Sequence, residues 1–217
     1  MIENVLSALA SFFLAAVSAA TAQNLLLTRG FGADLLLRGG EDSDMRIFCQ
    51  LQLACSVLAA PGFWAVNRLL VPLLGRLLEL AGLSQYYAQA FLWPAAIALV
   101  LTGVFFIVFV LCVKLAPYDN VLAAARQLPF AAFNTFVAGM LLISASKSYA
   151  LWQMLALTLG SSLGYLAVDF LLRQASRKLQ NRDMPAAFRG LPAKLLYLAG
   201  LAMAAWALTG HGFTDLL

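Results

Sequence analysis

Apolar positions dominate this chain in six long runs, at about residues 5–27, 47–70, 90–113, 128–144, 149–172 and 191–208, separated by shorter polar stretches. Each run approaches the roughly 20 residues that an α-helix needs to cross a hydrocarbon core of about 30 Å. The pattern therefore predicts six membrane helices. Two of the runs are interrupted. Residues 127–142, QLPFAAFNTFVAGMLL, open with Pro129, carry Asn134 and Thr135 at their centre and reach Gly139 near the end. Residues 22–32, AQNLLLTRGFG, place Asn24 inside an apolar run that ends at Gly32. Prolines, glycines and lone amides in such runs are expected where a membrane helix is broken and a site is built.

The two interrupted stretches lie about half the chain apart, which predicts two copies of one three-helix unit, residues 1–113 and 114–217. Three is an odd number, so the copies must cross the membrane in opposite senses. The expected fold is an all-α integral membrane protein forming one domain, with six helices arranged as two inverted repeats and the first and fourth helices broken. Sites in proteins of this architecture sit near the midplane where paired broken helices meet. On that reading Asn24 and Asn134 face one another. Alternatively, each amide only bonds a neighbouring helix, a modest glue between spans.

The intervening stretches are read from their polarity. Residues 29–46, with two glycine-rich breaks and the acids Glu41, Asp42 and Asp44, are expected to be a loop. Residues 70–89, with Pro72, Arg76, Glu79 and the pair Tyr86 and Tyr87, have the periodicity of an interfacial amphipathic helix. Residues 114–127 read as a connection, 146–148 as a turn and 173–190 as a strongly basic loop. The run at 90–113 is the purest apolar segment and needs no role beyond spanning.

Composition agrees with this. The 217 residues are 63% hydrophobic and 11% charged, against about 25% charged in soluble domains. Residues 1–23 have the layout of a signal peptide, but a signal needs a basic leading region and this one holds Glu3 and neither Lys nor Arg. They are read as part of the first membrane helix. Of the 14 Lys and Arg, all but Arg68, Arg76 and Lys147 fall in or beside the connections after spans one, three and five. The positive-inside rule then places both termini outside the cytoplasm. It also accounts for the basic run at 173–189 without a nucleic-acid or lipid-binding patch. Trp64, Trp93, Trp152, Tyr118, Tyr149 and Tyr197 fall near predicted span ends and read as interface anchors.

Few residues offer chemistry. Cys49, Cys55 and Cys112 lie in apolar runs without disulfide or zinc spacing, and His211 stands alone near the C-terminus as a solvated side chain. No nucleotide-binding glycine loop, catalytic triad or Cys/His pair is present, so the chain is not expected to act as an enzyme by itself. Asp169 lies inside the fifth run, where an acid is a candidate for an ion path. An i,i+4 ion pair with Arg173 is the competing reading.

Three segments resemble the membrane subunits of the Rnf and Nqr redox-driven ion pumps. Residues 183–190, DMPAAFRG, with the sixth span are similar to the cytoplasmic motif before that family's last helix. Residues 22–35, AQNLLLTRGFGADL, resemble its first broken helix, and residues 128–140, LPFAAFNTFVAGM, its fourth-helix motif. The resemblance covers nearly the whole chain. It implies a six-helix inverted repeat in the bacterial cytoplasmic (inner) membrane, paired with a homologous subunit of opposite orientation. Between the two, half-helix cysteines hold an iron-sulfur (2Fe-2S) cluster. Electrons pass through it between flavin- and iron-sulfur-bearing partners, coupled to Na+ or H+ translocation.

Asn24, Arg29, Gly32, Pro129, Asn134 and Gly139 match the family motifs, whereas Asp34 and Thr135 stand where the family has its ligand cysteines. A carboxylate and a hydroxyl are not routine replacements for thiolates. The sequence therefore implies a retained scaffold without the cluster, and no cofactor is expected. Asp34, Thr135 and Asn24, with carbonyls exposed at the breaks, are candidates for a hard-cation site. Asp34 as a solvated loop acid is the other reading. Two functions are expected: a subunit of an electron-transport complex that moves ions, or a stand-alone ion or small-solute transporter on the same fold. A purely structural membrane subunit is the third.

Overall fold

The computed structural model describes residues 2–21, 23–38, 42–82, 85–115, 118–178, 185 and 188–209. Among these, every extended element is a helix: α1 (Ile2–Ala20), α2 (Leu25–Arg29), α3 (Ala33–Arg38), α4 (Asp42–Leu80), α5 (Gln85–Leu115), α6 (Tyr118–Ala132), α7 (Thr135–Ser146), α8 (Leu151–Lys178) and α9 (Leu191–Thr209). Among the described residues three stretches are long and apolar enough to cross a membrane: Asp44–Leu80, Ala90–Lys114 and Leu151–Ser176. The pair α6 and α7, bent by 40° at its break, makes a fourth if it is one span. The apolar parts of α1 and α9, Leu6–Ala20 and Leu191–Ala207, are shorter.

Helix boundaries depart from the hydropathy reading in instructive ways. The segment at 29–46, expected to be a loop, contains α3, which buries Leu36, and the start of α4. The expected span at 47–70 and amphipathic helix at 70–89 are one helix as far as Leu80, running through Pro61 and Pro72. Both prolines are on exposed positions, so each costs backbone bonds without disturbing the packed stripe. The helix then ends in a turn at Ala81 and Gly82. Residues 118–127, expected to be a connection, are helical, with an alanine run that favours α6. Pro129 lies inside α6, whose last turn survives it because the Phe133 N–H donates to the Pro129 carbonyl at 3.0 Å. α8 extends past 172 into the basic segment. His211 lies outside the described residues, as do parts of the 183–190 motif.

The chain forms two compact units: residues 41–158, and residues 1–40 together with 159–217. The division falls within α8 and does not follow the boundary at 113. The contiguous unit holds α4 to α7. Its buried positions recur every three or four residues: Phe48, Gln52, Cys55, Ala59 and Phe63 on α4, and Ala96, Val100, Val104 and Val108 on α5. That spacing puts one stripe of each helix inward. The outward faces are also apolar, with Leu99, Phe106, Ile107 and Leu142 exposed, as expected of surfaces that meet lipid.

The discontinuous unit holds α1, α2, α3, most of α8, and α9. Here α8 lies close against α1 through Gly160 and Gly164. A Cβ on Gly160 would overlap the Ala16 backbone, and one on Gly164 would overlap the Ala20 carbonyl and come within 2.6 Å of Asn24 Nδ2. Small residues four apart allow such approach between membrane helices. Tyr165, buried on the same helix, donates its hydroxyl hydrogen to the Gly32 carbonyl at 3.2 Å.

Candidate functional site

Both breaks follow from one device. A helix start leaves N–H groups without partners inside the helix, and an Asn just before it can accept from one of them. In the discontinuous unit Asn24 Oδ1 accepts from the Leu26 N–H at 3.0 Å, while its Nδ2 donates back to the Ala20 carbonyl at 3.1 Å. One amide thus closes α1 and opens α2. α2 ends at once, at Gly30, whose φ of 71° is a left-handed cap suited to glycine. In the contiguous unit Asn134 Oδ1 accepts from the Phe136 N–H at 3.1 Å and from the Thr135 hydroxyl at 3.4 Å. Asn134 Nδ2 is turned away from the helix and donates to Gln52 Oε1 on α4 at 3.3 Å. Asn24 and Asn134 are 2% and 3% exposed, so these amides depend on the bonds they make.

The two breaks correspond in register. Asn134 follows Asn24 by 110 positions, and α8 starts 109 positions after α4 (151 against 42). Each Asn also meets the helix after the break of the other half of the chain: Asn134 bonds Gln52 on α4, and Asn24 lies against Gly164 on α8.

The remaining expected site residues are spread over this frame. Asn24, Gly32 and Asp34 belong to the discontinuous unit, and Asn134, Thr135 and Gly139 to the contiguous one. Asp34 is exposed in the first turn of α3, Thr135 is exposed at the first position of α7, and Gly139 is buried within α7. Asp169 is buried and forms the i,i+4 ion pair with Arg173. Both Asn oxygens face backbone donors, an arrangement less suited to a hard cation than to N–H groups. Among the described residues no group of three or more His, Cys, Asp or Glu is placed to hold a metal.

The donor set does not fit an iron-sulfur cluster. Cys49 and Cys55 are buried within α4 and Cys112 lies on α5, all within the contiguous unit and none at either break. Asp34 and Thr135 offer only oxygen.

The contiguous unit also has an open pocket of about 400 Å³, with Asn67, Arg76 and Glu79 of α4, Trp93 of α5 and Ser148 after α7 on its wall. Near it in sequence, the Arg68 guanidinium lies over the Trp64 ring at 5.6 Å, and Lys147 Nζ over Tyr149 at 5.8 Å. Tyr149, between α7 and α8, has the place expected of an aromatic residue at a span end, whereas Trp64 lies in the middle of α4.

Sequence reasoning missed Gln52, Tyr165 and the pair Gly160 and Gly164. The glycines carried a readable signal, a GxxxG spacing in an apolar helix. Gln52 carried a weaker one, as an amide in a stretch, 47–67, without any charge. Nothing local links it to Asn134. No family model matches the chain, and no curated protein matches it.

Proposed function

We propose that this chain is a membrane subunit built as an Rnf/Nqr-like inverted repeat, serving an electron-transport complex that translocates Na+ or H+, in a variant form without the intramembrane cluster. The observation that carries the reading is the matched pair of Asn-capped breaks, 110 positions apart, each meeting a helix from the other half of the chain. Exchange of this kind is what two interleaved copies of one three-helix unit would produce. In the proposed assembly α1 and α9 complete the six crossings, and both termini lie outside the cytoplasm of a bacterial inner membrane. A homologous membrane subunit of opposite orientation and soluble flavin- and iron-sulfur-bearing subunits are the proposed partners.

The donor set at the breaks favours a second reading, a stand-alone ion or small-solute transporter. Both family cysteine positions hold oxygen side chains, and both side chains are exposed. Native affinity purification from membranes in mild detergent under anaerobic conditions separates the two. Recovery of a homologous membrane protein with flavin-bearing subunits supports the complex. Recovery of the chain alone overturns it and leaves the transporter.

A further inference from the structure

We infer that the open pocket of the contiguous unit binds the headgroup of a phospholipid that carries both a phosphate and a primary amine. The pocket lies where α4, α5 and the end of α7 away from the Asn134 break come together. Two charged side chains of α4, Arg76 and Glu79, stand on its wall one helical turn apart. Opposite charges three residues apart commonly pair on a helix. These two do not: among the described residues neither forms an ion pair, with the other or with a neighbour. Glu79 is moreover the single acid in residues 45–118. The pocket thus presents a cation and an anion, both open, to a ligand of matching dipolar charge. Arg76 offers the planar fork that holds a phosphate. The Glu79 carboxylate, the Asn67 amide oxygen and the Ser148 hydroxyl offer acceptors for the N–H groups of an ammonium, and the Trp93 ring is a surface that attracts cations.

Position selects a lipid over a soluble zwitterion. The stretch of α4 without charge, 47–67, is long enough by itself to cross a hydrocarbon core of about 30 Å. Arg76 and Glu79 follow it on the same helix and therefore reach the depth of the headgroups. Trp93, near the start of the span Ala90–Lys114, has the depth usual for an interfacial Trp. Arg76 also borders an apolar face. Leu69, Leu73 and Leu80 share its side of α4 and are 72%, 59% and 86% exposed. A phosphate held by Arg76 leaves the acyl chains to run along these leucines, while the amine enters the pocket toward Glu79. The volume of about 400 Å³ is within the roughly 300–1,000 Å³ of small-molecule sites. The inference is independent of whether the chain works in a redox complex or alone.

The test is thermal unfolding of the full-length protein in detergent, titrated separately with phosphatidylethanolamine, phosphatidylglycerol and water-soluble phosphoethanolamine. The wild type is expected to show a saturable rise in melting temperature with phosphatidylethanolamine. Phosphatidylglycerol, which lacks the amine, should need about tenfold higher concentration for the same rise. Glu79→Gln should abolish that preference, and Arg76→Gln should weaken the response to both lipids. Both side chains are exposed, so the variants should melt as the wild type does before lipid is added. The inference is overturned by a wild type that responds equally to the two lipids or by variants that respond as the wild type does. It is also overturned by phosphoethanolamine acting at the same concentrations as the lipid, which would assign the pocket to a soluble zwitterion.

Discussion

Asn134 reaches across 82 positions of sequence to donate to Gln52 Oε1 at 3.3 Å, so a helix break in the second half of the chain is fastened to a helix of the first half. Removing the Asn134 amide therefore acts on two elements at once. Asn134→Ala loses the cap of α7, worth about 1 kcal/mol. It also strands the buried Gln52 oxygen, at a further ~1–3 kcal/mol. Asn134→Asp keeps the cap oxygen but not the donor, and should fall between wild type and Asn134→Ala in unfolding experiments. In a double-mutant cycle with Gln52→Leu the two losses should be clearly less than additive.

The glycines of α8 and α9 should respond with opposite signs. Gly160→Ala and Gly164→Ala place a methyl group against the backbone of α1, with an expected cost of about 1–3 kcal/mol. Gly200→Ala on α9 meets nothing within 4 Å and should be neutral or stabilising by up to ~1 kcal/mol, the ordinary helix preference for alanine. Melting temperatures of the three variants check this directly.

Asp169 and Arg173 distinguish an ion path from a structural pair. Asp169→Asn leaves the guanidinium, only 22% exposed, without its partner acid and should destabilise the protein by about 3–5 kcal/mol. The double variant Asp169→Leu with Arg173→Met should recover most of that loss if the pair is structural. A stable double variant that no longer moves ions in reconstituted vesicles would instead assign Asp169 to a path.

Asp34 is exposed, so Asp34→Asn should leave unfolding within about 0.5 kcal/mol of the wild type. Any Na+-dependent stabilisation that disappears in this variant would identify the carboxylate as a cation ligand.

The breaks at Asn24 and Asn134 were legible in the sequence because each amide shares its apolar run with a glycine or a proline, the combination expected where a membrane helix is interrupted. Their partners were not. Gln52 and Gly164 are distant in sequence from the residues they meet, and one chain without its folded geometry carries no sign of such pairing. The boundaries expected at 70 and 128 differ from the helix ends at Leu80 and Tyr118 for another reason. Hydropathy reports where a segment would leave the hydrocarbon, whereas backbone hydrogen bonds decide where a helix stops, and α4 continues ten residues past the point where its polarity changes. Pro129 misled in the same way, since a proline near the end of α6 removes its own donor while leaving its carbonyl free to accept.

The two-unit organisation bears on the order of assembly. A ribosome delivers α4 to α7 in one uninterrupted passage, so the contiguous unit can close while the rest is still being made. α1 to α3 emerge first yet pack against α8 and α9, which emerge last. The earliest part of the chain thus spends most of synthesis without its partners. A chain stopped after residue 158 would keep one unit whole and leave the other as unpaired helices for membrane quality control to find.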